Sequence, residues 1–171
     1  MVCSLSKNKK VYKEILDEDI KKIYDENLEN LINFSDRLLI LTQLDCDAYD
    51  IVAKAYKISK DNAQREVEIQ KGLKYAADVP FETCSLILEC IKLLFFYMDK
   101  TIKGAITDLG TACAFFQSSF YGASLNVKIN LEGILDEEYV NLKLKETNKL
   151  ENEMFILQGK IYTIVSEIMK Y

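Results

Sequence analysis

The stretch KLENEMFILQGKIYTIVSEIMKY, residues 149–171, decides the fold. Its apolar members Leu150, Met154, Leu157, Ile161, Ile164, Ile168 and Tyr171 follow one another in alternating steps of four and three. Such steps keep every member on one side of an α-helix. A seven-residue repeat of this kind belongs to a helix packed nearly parallel or antiparallel to its neighbours. The reading extends upstream to Asp136, so the last helix is predicted over Asp136 to Tyr171. Before it, Gly133 marks a turn. Asp108 to about Leu131 forms a run of small and apolar residues, with Asp108 at the expected N-cap. Phe81 to Tyr97 is apolar nearly all round, which predicts a central helix or one at a subunit interface. Pro80 either starts that helix, at Asp78, or kinks a longer one. Lys9 to Leu44 and Asp45 to Lys57 are two further helical stretches, with a break over Ile58 to Asp61.

Composition agrees. The chain has 171 residues, the size of one domain, and is read as a single unit over 1–171. It holds only six glycines and one proline, too few for the many turns of a sandwich or barrel. The predicted class is all-α, an up-and-down bundle of four to five long helices. Histidine is absent, which removes His-based metal sites, Ser-His and Cys-His nucleophiles and imidazole proton transfer. Chemistry is left to Asp, Glu, Lys, Tyr, Asn or Cys, and no metal is expected. The five cysteines form no CxxC pair and read as reduced thiols of a cytoplasmic protein. A formal charge of −5 and only two arginines, Arg37 and Arg65, argue against a nucleic-acid partner. Leu86 to Met98, the most apolar stretch, is interrupted by Glu89 and Lys92 and is too short to span a bilayer, so no membrane association is expected.

Two features of the Asp108–Leu131 segment go beyond bundle grammar. Gly110, Ala114, Ser118 and Gly122 recur every four residues, leaving a face with little side-chain bulk. Either another helix or a flat ligand would suit that face. Asn126 and Asn130 lie four apart near the end of an apolar helix, where buried amides need partners. They have two readings: ties for the following turn, or readers of a polar ligand edge.

Thr107-Asp108, then Gly122-Ala123 and Asn126-Val127-Lys128-Ile129-Asn130-Leu131, resemble the signature of the cyclodeaminase domain of formiminotransferase-cyclodeaminase. That family includes bacterial methenyltetrahydrofolate cyclohydrolases. Asp45-Cys46-Asp47-Ala48-Tyr49 with Ala55-Tyr56-Lys57 is similar to a second family segment. Ala77-Asp78-Val79-Pro80-Phe81-Glu82 is similar to a third, with Phe81 where the family has leucine. The motifs keep the family's order and spacing across essentially the whole chain. Two departures are expected to matter. The family's glycine-rich stretch and first helix have no counterpart, Met1 to Ser6 resembling only the end of that helix. Lys103-Gly104-Ala105-Ile106 also stands where the family carries an asparagine.

The resemblance implies an enzyme acting on a tetrahydrofolate derivative as substrate. Formimidoyltetrahydrofolate cyclodeaminase is the first expectation; methenyltetrahydrofolate cyclohydrolase and an inactive folate-binding relative are the alternatives. Asp108 is the first candidate for proton transfer or cation stabilisation, with an ordinary N-cap as its other reading. Asp47 and Asp45 are the second candidates. Tyr49 and Tyr56 either flank the substrate's rings or belong to the core. Asn126 and Asn130 are candidates for polar contacts to the ligand. Lys128, Lys57 and Lys74 are candidates for the anionic glutamyl tail. On one continuous helix Asp108 and Asn126 share a face but stand about 27 Å apart. Either one end carries the site, or a symmetric partner joins the two ends. Because Phe81 to Tyr97 is apolar nearly all round, a homodimer is expected, with a small-molecule folate as the other partner.

Overall fold

The structure is a computed structural model that describes residues 1–169; Lys170 and Tyr171, and the side chains of Val11 and Ile15, lie outside the described residues. A short α1 (Val2–Ser6) and a wide helical turn (Val11–Ile15) precede four long helices. These are α2 (Glu18–Lys57), α3 (Arg65–Tyr97), α4 (Ile106–Leu131) and α5 (Glu137–Met169). Among the described residues there is no strand.

Side-chain partners fix the register. Arg37 with Glu82 and Tyr24 with Tyr97 pair α2 antiparallel to α3. Cys84 with Phe120 and Ala76 with Asn130 do the same for α3 and α4, and Gln117 with Gln158 for α4 and α5. Lys92 with Glu153 and Asp78 with Lys143 run parallel between α3 and α5. The bundle is therefore up-and-down, with α3 packed against α2, α4 and α5. That central place accounts for the all-round apolar character of Phe81 to Tyr97 within one subunit.

Sequence boundaries shift in three places. The two stretches predicted over Lys9 to Lys57 form one helix of 40 residues from Glu18, since nothing at Leu44–Asp45 breaks it. Asp17 caps that helix by accepting a hydrogen bond from Ile20 N at 2.8 Å. Pro80 does not start a helix at Asp78; it lies inside the longer α3, the second of its two sequence readings. Asp108 is not the N-cap of α4, because the helix begins two residues earlier at Ile106; it sits in the first turn instead. There a carboxylate still meets the positive end of the helix dipole.

The predicted repeat of α5 faces inward. Met154 and Ile161 are buried, and Leu150, Leu157, Ile164 and Ile168 pack against the same core. At the end of the bundle where α2 starts and α3 finishes, Tyr24 and Tyr97 are fully buried with rings edge to face at 4.5 Å. Tyr97 Oη donates to the Tyr24 carbonyl at 2.6 Å, and Tyr24 Oη to the Cys3 carbonyl at 2.8 Å. Those two bonds satisfy both phenols and tie α1, α2 and α3 together. No helix among the described residues is long and apolar enough to cross a membrane.

Candidate functional site

Pro80 is where local sequence begins to shape a site. A proline inside a helix has no N–H to give to the carbonyl four residues back, here that of Ala76. Asn130 on α4 fills the vacancy: its side-chain amide donates to Ala76 O at 2.7 Å. This amide is a tie between helices, the first of the two readings open from sequence. It holds the end of α4 against α3 beside Pro80.

Pro80 also lies in the base of a groove of about 490 Å³ between α2, α3 and α4. Leu41 and Ile87 make its walls apolar, while Thr42, Thr83 and Ser119 add hydroxyls. Asp45 enters from α2 and Asn126 from α4. Among the described residues neither the Asp45 carboxylate nor the Asn126 amide has a side-chain hydrogen bond or ion pair. Gly122 lies on the same lining, and a Cβ built there would meet nothing within 4 Å. The groove is thus an apolar slot with an uncommitted acceptor on one side and an uncommitted amide on another. Such a site takes a flat, largely apolar ligand with a few polar atoms.

The remaining predicted residues do not gather there. Asp47, turned about 200° around α2 from Asp45, is exposed and accepts from Gln43 Nε2 at 2.9 Å. Tyr49 is 74% exposed, and neither it nor Tyr56 is core. The Arg65 guanidinium lies over the Tyr56 ring, 5.7 Å from its centroid. Lys57 is exposed in the last turn of α2. Lys74 pairs with Asp136 at 2.6 Å. Asp108 is exposed at the opposite end of α4 from Asn126, about 27 Å along a helix that runs unbroken from Ile106 to Leu131. One subunit therefore brings Asp45 and Asn126 to a common groove and leaves Asp108 outside it.

Lys128 points to the other side of α4. Its ammonium bonds Glu151 Oε1 on α5 at 2.6 Å, and the buried Ser124 hydroxyl donates to the same oxygen. Burial raises the Glu151 pKa, but the Lys128 and Ser124 bonds outweigh it and leave the carboxyl below its ordinary value. Ser124 and Lys128 stand four residues apart and share one side of α4. Their partner, more than twenty residues away on another helix, had no local signal.

Four thiols are buried and one, Cys46, is exposed beside Asp45 on the groove. Burial, with a smaller contribution from Glu151, pushes Cys84 up to about 12. Burial likewise pushes Cys3 and Cys90 up to about 11 and raises Cys113. These four stay protonated and are packing groups. Among the described residues no three Cys, Asp or Glu side chains are grouped to hold a metal ion.

Residues 1–149 match the profile of the formiminotransferase-cyclodeaminase family. The methenyltetrahydrofolate cyclohydrolase of Methylorubrum extorquens is 32% identical over 169 residues, which is 96% of this chain and 79% of that protein. The formimidoyltransferase-cyclodeaminase of Dictyostelium discoideum is 31% identical over 123 residues, 71% of this chain but only 22% of that protein. The crystal structure of formiminotetrahydrofolate cyclodeaminase from Thermotoga maritima superposes with a TM-score of 0.87 at 25% identity, covering 99% of this chain and 80% of that one. The helix order, the three motifs and a near-full-length likeness in both sequence and structure agree, and the chain belongs to the formiminotransferase-cyclodeaminase family of folate one-carbon proteins.

Proposed function

We propose that the chain is a formimidoyltetrahydrofolate cyclodeaminase working in the groove between α2, α3 and α4. The observation that carries this reading is the pair of uncommitted polar groups, Asp45 and Asn126, on one apolar slot. In the reaction the N10 nitrogen attacks the formimino carbon held on N5, and a new N10–C bond closes the ring. N10 gives up its proton, the C–NH₂ bond breaks, and ammonia leaves carrying a proton. The product is the 5,10-methenyl cation. Asp45 is suited to take the N10 proton and then to stand beside the cation, since a carboxylate stabilises the positive charge that develops. Asn126 is suited to hold an amide edge of the pterin or the departing amino group. Lys57, exposed at the end of the same helix, is suited to meet the anionic glutamyl tail.

The likeness to the Methylorubrum extorquens cyclohydrolase over nearly the whole chain favours a second reading, in which water opens the methenyl ring to 10-formyltetrahydrofolate. Both reactions meet at the same cation, so one assay separates them. With 5-formimidoyltetrahydrofolate the protein is expected to raise the methenyl absorbance and release one ammonia per turnover. Cyclohydrolase activity would instead bleach added methenyltetrahydrofolate and release no ammonia. If neither change exceeds the uncatalysed rate, the folate-enzyme reading fails.

A further inference from the structure

Four glycines of the chain lie inside its long helices: Gly72 in α3, Gly110 and Gly122 in α4, and Gly159 in α5. A glycine there lowers helix stability relative to alanine, because its backbone has more freedom to lose on folding. Two of the four have a packing reason. A Cβ on Gly72 would come within 3.3 Å of Val52 on α2, and one on Gly110 within 3.4 Å of Val165 on α5. Gly122 has no such neighbour, since a Cβ there would meet nothing within 4 Å. Nor does its backbone leave the ordinary helical conformation, as α4 runs unbroken from Ile106 to Leu131. Alanine would fit this position and hold the helix better.

What Gly122 faces is the groove of Asp45 and Asn126. Asn126 stands four residues further along α4, on the same side. Helical side chains lean toward the N-terminus of their own helix. The Asn126 amide therefore reaches back over the turn that Gly122 occupies. Asp45 approaches from α2, across the groove, so a ring lying between the two has its other face on α4. Ser119, one turn before Gly122, adds only a hydroxyl to that wall. At Gly122 the groove is bounded by peptide backbone rather than by a side chain, and a flat ring can rest there at van der Waals distance. The cavity, about 490 Å³, is of the size that takes a whole small molecule. Gly159 also meets open space, but on the outer side of α5, where it lines no part of this groove.

We propose that Gly122 is a specificity-determining residue: its bare backbone seats one face of the pterin ring whose amide edge Asn126 holds. A methyl group at this position would stand where the ring lies, lifting it from α4 and out of reach of Asn126. The groove thereby selects a fused bicyclic heterocycle with an amide edge over ligands of equal polarity that carry no such flat face. The proposal rests on the folate reading above and names how the same groove recognises its substrate.

Calorimetric binding of 5-formyltetrahydrofolate, measured alongside thermal unfolding, tests it. Gly122→Ala is expected to raise Tm by about 2–4 °C, as a helix gains from losing an interior glycine. The same variant is expected to bind about tenfold more weakly or worse, the effect of one misplaced methyl group. Gly122→Leu is expected to lose about a hundredfold. Gly159→Ala, the control, is expected to raise Tm alike and to leave binding unchanged. The loss is expected to persist with 6-methyltetrahydropterin, which has the ring without the aminobenzoyl arm. It is expected to be absent with p-aminobenzoylglutamate, which has the arm without the ring. Undiminished binding by Gly122→Leu, or a loss confined to p-aminobenzoylglutamate, overturns the proposal. A Gly122→Ala protein that melts below the wild type also overturns it, because the glycine would then serve the fold. If the wild type binds none of the three ligands, the folate reading itself fails; if it binds them and the Gly122 variants bind alike, only the seat of the ring is lost.

Discussion

Asp45 illustrates what one residue's surroundings decide. It is one of several acids on α2, and its spacing from Asp47 is only two residues, yet the two exposed carboxylates have different neighbours. Asp47 is already engaged by Gln43, whereas Asp45 is uncommitted and lines an apolar groove. Asp45→Asn is expected to lower kcat of the folate reaction at least a hundredfold with little change in KM, and Asp47→Asn to change neither beyond about twofold. Asn126→Ala is expected to act mainly on KM, as loss of a contact made in ground and transition states alike. Glu151 supplies a pH dependence instead. Its folded pKa lies below that of the unfolded chain, so its stabilisation is complete above the ordinary glutamate value of about 4.3 and is lost as pH falls through the depressed folded value. Glu151→Gln is expected to cost about 1 kcal/mol at neutral pH, read from urea unfolding, and to lose less stability than the wild type on acidification. In sequence these acids looked alike. The family resemblance ranked Asp108 ahead of Asp47 and Asp45, but the sequence carried no sign of which neighbours each carboxylate would meet.

At the scale of the element, the chain's own grammar was more explicit. The inward face of α5 was legible from Leu150 to Ile168, because a seven-residue apolar repeat has one geometric solution. The all-round apolar character of α3 was legible too, and its central place follows from contact with three other helices. Pro80 was harder, since a proline stops a helix unless the carbonyl it orphans finds another donor. Here the donor is Asn130, fifty residues downstream, so the continuity of α3 depends on α4 being in place. That dependence can be measured. Asn130→Ala is expected to destabilise the protein by about 1–3 kcal/mol, the cost of a buried carbonyl left without a partner. In a Pro80→Ala background the helix regains its own N–H donor to Ala76, and the same Asn130→Ala substitution is expected to cost less than about half as much. A double-mutant cycle in which the two costs simply add would show that Asn130 serves α3 no differently from any surface amide.

The whole molecule is where the sequence was least explicit, since assembly depends on which faces are left over once the helices have packed. The homodimer was expected from α3, but α3 is fully employed inside one subunit. The face that is left over belongs to α4, whose low contrast between its two sides made it look merely apolar. Only the fold distinguishes the buried side, with Leu109, Cys113, Phe120 and Val127, from the exposed side with Phe115, Leu125 and Ile129. The small-residue stripe divides in the same way. Gly110 packs against Val165 of α5, while Gly122 opens outward, because steps of four drift around a helix by about 40° each.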